Sequence, residues 1–343
     1  MTKVLFGISG DESKGSTRFR VLNQLTYFDR LNIEYTIVSL SQGPSSREKL
    51  QFVTKLLWYG VTSDVIFIQR IKLPANIIRF LTRFHSPVVY DFDDAFYTQP
   101  SWKTEDTGDV DKFDEMLATI STVVAGSPAL AQYARQYSDN VHALPTPIPR
   151  ENHERIDYGE NGKIIIGWIG YPENLHYLST IRLTLTELLD EYEDLYLMII
   201  TGDIQQDYPL YDRARVDYYE WGRNTYLEQM KQVDIGIRPL IDEEWTRAKS
   251  HTSIVEFMAL GIPVIVSPVG ILEEVIEHGI SGFHATSESE WKTYLERLLA
   301  DSQKREQIGS AARDEISNHG LWSDQYAENL AKVINTTLES DHN

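Results

Sequence analysis

Lys249, Ser250, His251, Thr252 and Ser253 run without interruption into the apolar stretch that begins at Ile254, and Glu256 follows Lys249 by seven residues. A cation, three hydroxyls and an imidazole at the mouth of an apolar run, with one carboxylate behind them, suit a ligand that is anionic at one end and rich in hydroxyls at the other. A helix over 252–260 leaves the N–H groups of Thr252, Ser253 and Ile254 without intrahelical acceptors, and their partial positive charge faces an anion. Lys249 and Arg247 add full charges, so a diphosphate is the natural occupant. Glu256 only accepts hydrogen bonds. It is mismatched to phosphate and well matched to a pair of ribose hydroxyls. Gly261 and Pro263 stop the helix before the strand-like "VIVS".

Four other clusters carry chemistry. "SGDESKGSTR" follows the opening apolar run; Gly10 and Gly15 allow a tight loop, Ser16 or Thr17 supplies a helix cap, and Arg18 and Arg20 add charge. It reads either as an ordinary βα loop or as a contact for the donor. "YDFDDA" crowds Asp91, Asp93 and Asp94 at a strand end, where repulsion raises a carboxyl pKa and suits proton transfer or hydroxyl binding. Binding of a divalent metal is one alternative, and a helix cap with a solvated acidic turn is the plainer one. "GWIGYPENLHYL" brings Gly170 and Tyr171 to a turn after a strand, with His176 at the next helix start. "DYYEWGRNTY" sets Trp221 and Asn224 at another such turn, as a flat ring with an amide for a nucleobase or as a packed surface aromatic. Arg70, in "IQRIKLP", is either a sugar contact or a structural ion pair.

The elements that hold these clusters are legible in the hydrophobic pattern. "KVLFGIS", "YTIVSL", "DVIFIQR", "PVVYDF" and "STVVAG" are short apolar runs separated by helical patterns. Phe19, Leu22, Leu25, Phe28 and Leu31 recur every three residues and predict one amphipathic helix. "LPTPIPRENHERIDYGENG" interrupts the scheme with three prolines, and the alternation resumes at "KIIIGWIG". The result is an α/β chain of two doubly wound, Rossmann-like domains facing each other across a cleft, with ligand expected at the carboxyl ends of the strands.

Composition narrows the function. At 343 residues two domains are natural, and 42% hydrophobic with 24% charged residues is a globular balance. A net charge of −19 argues against nucleic acid. Without cysteine there are no disulfides or thiolate metal sites. No stretch reaches the ~18–20 apolar residues of a membrane span or the pattern of a signal peptide, which predicts a cytoplasmic protein and leaves room for peripheral membrane contact.

"KSHTSIVEFMALGIPVIVSPVGILEEVIEHGISGF" resembles the C-terminal signature of the family 4 retaining glycosyltransferases, glycosyltransferase group 1. "DIGIRPLIDEEWTRAKS", "VVYDFDDA", "IIIGWIGYPENLHYL" and "SEWKTYL" extend the likeness over nearly the whole chain. The resemblance implies a GT-B fold with residues 1–150 on the acceptor side, residues 160–320 binding the nucleotide sugar, and a last helix within 321–343 crossing back to the N-terminal domain. It implies that Glu256 binds ribose, that Trp221 and Asn224 lie near the base, and that residues 249–254 hold the diphosphate. The implied reaction moves a sugar from a UDP- or GDP-linked donor to a hydroxyl on a glycan or lipid-linked acceptor, with retention and with neither metal nor other cofactor. Lys249 and Asp93 are the expected catalytic residues; Gly15, Ser16, Arg18, Arg70, Asp91 and Asp94 are expected near the donor sugar or acceptor. Departures from the family are Ala248 in place of a glutamate, Ser253 in place of a frequent lysine, Asp93 in place of a histidine, and no Arg/Lys pair after "IIIGWIG". Two other readings are a non-catalytic nucleotide-sugar-binding partner and a GT-B sugar-nucleotide epimerase.

Overall fold

The computed structural model describes residues 1–84, 86–103, 109–154, 162–202, 210 and 213–341. Of the Pro-rich linker, residues 155–161 lie outside the described residues. The chain forms two units. One comprises Met1–Pro149, Glu243–Ser250 and the residues from Leu321 on; the other comprises Arg150–Asp242 and His251–Gly320.

In the first unit, β1 (Thr2–Ser9), β2 (Ile33–Leu40), β3 (Val65–Gln69), β4 (Val88–Phe92), β5 (Thr122–Ala125) and β6 (Val141–Ala143) form one parallel sheet in the order β2-β1-β3-β4-β5-β6. β3, β4 and β5 are buried along their whole length, which is why they read as continuous apolar runs. One face carries Phe52 and Leu56 of the helix Ser46–Gly60, Ile78 and Leu81 of Ala75–Phe84, and Phe113 of Val110–Leu117. A capping box between Ser45 and Glu48 opens the first of these helices. The other face carries the C-terminal helix Ser323–Asp341, whose Tyr326, Leu330 and Ile334 pack with Phe6, Phe28 and Val124. Thr337 and Thr122 share a hydrogen bond of 2.7 Å between hydroxyls.

The single helix expected from the spacing of Phe19 to Leu31 is instead four short pieces, with helical Gly15–Arg20 and Leu25–Phe28 each followed by a 3-10 turn. Val21, at φ −123° and ψ −63°, breaks the ladder. The residue before Gly15 is Lys14, and no side chain caps the helix. Thr17, one of the expected caps, instead donates its hydroxyl to the Ser9 carbonyl at 2.7 Å.

The second unit contains β7 (Ile164–Ile169), β8 (Leu195–Thr201), β9 (Val216–Glu220), β10 (Ile235–Arg238), β11 (Val264–Val266) and β12 (Phe283–His284), all parallel, in the order β12-β11-β10-β7-β8-β9. The strand order reverses direction between β7 and β10, making this the switch point of a Rossmann-type sheet; in the first unit the corresponding point is between β1 and β3. The helix Thr252–Ala259 follows β10 and seats Phe257 against the strand. Gly236 makes that possible, because a Cβ there would stand 2.7 Å from the Phe257 ring. Gly261, at φ +79°, turns the chain out of the helix and Pro263 leads it into β11.

Leu330 is fully buried between the C-terminal helix and the sheet. Truncating it to alanine is expected to destabilise the first unit by about 2–5 kcal/mol, read as a lower denaturant midpoint in urea.

Candidate functional site

The carboxyl ends of β1, β3 and β4 bring the acidic cluster of the first unit together with its cations. Asp91, still inside β4, is fully buried and bound by the Arg20 guanidinium, which also donates to the Leu144 carbonyl at 2.8 Å. Burial pushes the Asp91 carboxyl up, and the Arg20 guanidinium opposes that rise. Asp91 is thus a structural counter-ion with no face for a sugar, contrary to the expectation from sequence.

Asp93 and Asp94 lie past the strand end and share Arg70, at 2.7 and 2.9 Å. Asp94 also accepts from Lys249 Nζ at 2.5 Å, and that ammonium sits 3.7 Å from the centre of the Trp245 ring. Arg70 has φ +59°, a left-handed conformation that a non-glycine residue holds only when its surroundings fix it. Its N–H donates to the Asp91 carbonyl at 2.8 Å, and Nη1 reaches Ser16 Oγ at 3.4 Å. Burial raises the Asp94 carboxyl, but Lys249 and Arg70 outweigh it and hold the group below the usual carboxylate range. Of the two readings left open for Arg70, the structure shows the ion pair.

Gly15 has open space where a Cβ would stand, so nothing in the described residues demands glycine there. Arg18 is folded back on its own loop, donating to the Glu12 carbonyl at 3.4 Å and lying 4.6 Å from the centre of the Phe19 ring. Ser250, expected to bond phosphate, is buried and donates its hydroxyl to the Gly126 carbonyl at 3.0 Å while accepting from Thr146 at 3.2 Å. Ala248 is fully buried in the first unit's core, and its carbonyl accepts from Ser127 at 2.8 Å. A longer acidic side chain at 248 would have to enter an apolar core, a physical reason for the departure at this position.

In the second unit the helix Thr252–Ala259 begins after His251, a buried residue with φ +46°. The Ile254 N–H donates to the His251 carbonyl at 2.9 Å and the Ile254 side chain is fully buried. Ile254 is therefore a core residue, and the helix mouth presents the N–H groups of Thr252 and Ser253. Glu256 is only 5% exposed. Tyr226 Oη donates to its Oε1 at 2.7 Å, and His153 Nε2 stands 3.6 Å from the same oxygen. Arg313 fixes the backbone of His153 by donating to its carbonyl at 2.6 Å. Trp221, 38% exposed, lies against Tyr226 with ring centroids 5.7 Å apart. Asn224 and Tyr171 are exposed, at the turns that follow β9 and β7, and His176 Nδ1 contacts the Glu173 carbonyl at 2.7 Å. The structure thus brings Glu256, Tyr226, His153 and Trp221 into one cluster. Tyr226 and His153 were not singled out in the sequence; the only signal was a tyrosine five residues after Trp221, and His153 has none inside the Pro-rich linker.

Residues 252–315 match the family model described as Glycosyl transferases group 1. The match covers less than a fifth of the chain. Spore coat protein SA of Bacillus subtilis (strain 168) is 26% identical over 192 residues, 52% of this chain and 50% of that protein. A Dictyostelium discoideum protein named GDP-Man:Man(3)GlcNAc(2)-PP-Dol alpha-1,2-mannosyltransferase is 26% identical over 198 residues, 50% of this chain and 37% of that one. The matches span half or less of these curated relatives. The crystal structure of Anabaena HepE, in complex with UDP and glucose, has a TM-score of 0.70 at 16% identity, over 98% of this chain and 100% of that one. Sucrose-phosphate synthase of Thermosynechococcus elongatus has a TM-score of 0.75 at 13% identity, over 99% and 100%. These structural likenesses establish the fold as GT-B. Among the described residues no helix is long and apolar enough to cross a membrane.

The Asp94 cluster has a pH signature. Its carboxyl is depressed in the folded state, so its contribution to stability is fully present above the ordinary aspartate value of about 4 and is lost as pH falls through the lower folded value. Asp94→Asn is expected to be less stable than the parent near neutrality, and the difference should shrink below about pH 4. Urea unfolding midpoints of both proteins between about pH 2 and 7 test this; a difference that is constant with pH would contradict it.

Proposed function

We propose that the chain transfers a sugar from a nucleoside diphosphate sugar to a hydroxyl acceptor with retention at the anomeric carbon. The observation that carries this reading is Glu256, a buried carboxylate one turn into a helix whose N-terminus no side chain caps, with Tyr226 and the half-exposed Trp221 beside it. A carboxylate suits the ribose hydroxyls, the helix terminus suits the diphosphate, and Trp221 with Asn224 suits the base. The match of residues 252–315 to group 1 glycosyltransferases falls on this helix. HepE, which shares the fold, is described with UDP-glucose, and the Dictyostelium relative is named for a GDP-linked donor, so UDP and GDP are the nucleotides to test. The proposed acceptor is a glycan or lipid-linked sugar.

In the proposed reaction the bond from the anomeric carbon to the diphosphate oxygen breaks. The acceptor oxygen bonds to that carbon on the same face, and the acceptor proton passes to the departing diphosphate. The protein's task is then to stabilise charge developing on the leaving group, with fixed N–H dipoles and cations rather than a resident metal. Lys249, three residues before the helix in sequence, is the proposed cation for that charge, and Asp93 the proposed acceptor for sugar hydroxyls. Both assignments rest on residue chemistry and sequence order. The site is proposed to work in the cytoplasm, where nucleotide sugars would supply it.

The burial of Ala248 where the family carries a glutamate favours a second reading, a protein that binds the nucleotide sugar and does not turn it over. Incubation with UDP- and GDP-sugars separates the two, since slow release of free sugar and nucleoside diphosphate is expected only of a transferase. Glu256→Ala is expected to weaken UDP or GDP binding by about 10- to 100-fold, equivalent to roughly 1.5–3 kcal/mol for hydrogen bonds to a charged acceptor. Calorimetry reads this directly, and an unchanged affinity would remove the ribose assignment.

A further inference from the structure

Arg238 closes β10, and its side chain lies at the switch point of the second sheet. It is 9% exposed. Nη1 donates to the Ile169 carbonyl at 3.1 Å, at the end of β7, and the guanidinium carbon stands 5.9 Å from the centre of the Trp168 ring. Nε is buried and has no hydrogen-bond partner among the described residues. Among the described residues no carboxylate pairs with Arg238. Burial lowers its pKa to about 10, which leaves it charged at neutral pH. Among the described residues, only the phenol of Tyr177 works against that lowering.

A desolvated cation without a counter-ion is costly, and a protein keeps one chiefly where a ligand supplies the missing charge. The adjoining glycine lets the Trp168 ring and the Arg238 guanidinium lie close against the backbone at the end of β7. Gly170 follows β7, and a Cβ there would stand 2.8 Å from Trp168 and 3.2 Å from Arg238 Nη1. Ligands of doubly wound sheets bind outside the carboxyl ends of the strands at the switch point, which here lies between β7 and β10. The helix Thr252–Ala259 is the next helix of the second unit after β10 in sequence, and its Phe257 packs against Gly236 of that strand. The loop after β7 carries no arginine or lysine, since residues 170–178 read GYPENLHYL, and position 253 is serine.

We propose that Arg238 is a diphosphate-binding residue of the donor site, supplying from the end of β10 the cation that the loop after β7 lacks. The proposal rests on the donor-site reading given above. A guanidinium presents a planar fork that matches phosphate oxygens in pairs, so its contribution should depend on the phosphates and be indifferent to the nucleoside.

The test compares the full-length protein with its Arg238→Met and Arg238→Gln variants. UDP, GDP, uridine, guanosine and inorganic pyrophosphate serve as probes in calorimetry and thermal shift. Either uncharged variant is expected to melt at or above the parent temperature without ligand, because a charge without a counter-ion has been removed. Each should bind the diphosphate that the parent prefers at least ten-fold more weakly, lose protection by pyrophosphate, and keep the parent affinity for the bare nucleoside. An Arg238→Lys protein, which keeps the charge without the fork, should fall between. If Arg238→Met and Arg238→Gln bind the diphosphate and pyrophosphate as the parent does while Glu256→Ala has lost the nucleotide, the donor site stands and the role of Arg238 is overturned. If the parent binds neither UDP nor GDP, the donor-site reading falls first and the assignment of Arg238 falls with it.

Discussion

A guanidinium taken out of water needs a counter-charge, and the two parallel sheets meet that need differently. At the switch point of the first sheet, Arg70 leaves β3 and is met by Asp93 and Asp94, with Asp94 held from its other side by Lys249. At the switch point of the second, Arg238 ends β10 and is met by a carbonyl and an aromatic ring. Parallel strands make both places inevitable, because all carboxyl ends lie on one side and the reversal of strand order opens the sheet there. What the loops then supply decides whether the spot is neutralised from within or left to an incoming anion.

The same contrast governs the carboxylates. Asp91 and Asp93 are two residues apart and share a side of the strand in the sequence pattern, yet Asp91 is sealed against Arg20 while Asp93 lies past the strand end. Glu256 is nearly as buried as Asp91, but its neighbours are a phenol and an imidazole instead of a guanidinium. A carboxylate with neutral or titratable neighbours retains acceptor capacity that one clamped by arginine has spent.

Much of this was legible in the sequence. Short β-branched apolar runs such as Val65–Gln69 and Val264–Val266 are strands because a doubly covered parallel sheet buries them entirely, and Gly261 with Pro263 marks the helix end by backbone chemistry alone. Periodicity misled between Phe19 and Leu31, where spacings of three fit 3-10 turns as well as an α-helix, and the chain uses both. Side-chain partners were the least legible. Ser250 carries the right chemistry for phosphate, but its hydroxyl is committed to Gly126 and Thr146, more than a hundred residues away in sequence. Arg238 shows only as one of two charges in "DIGIRPL", which has no periodic signature.

Glu243–Ser250 lies between β10 and the helix Thr252–Ala259 in sequence, yet it clusters with the first unit, where Ala248 enters the core and Trp245 packs against it. The polypeptide therefore changes unit twice within nine residues, in addition to the passages at Pro149–Arg150 and Gly320–Leu321. Neither unit is a contiguous stretch that a protease cut or a gene truncation could release whole. A fragment from Arg150 to Gly320 would carry Ala248 and Trp245 away from the surface that buries them, so modular exchange of the second unit requires that eight-residue segment to be matched to the recipient's first unit.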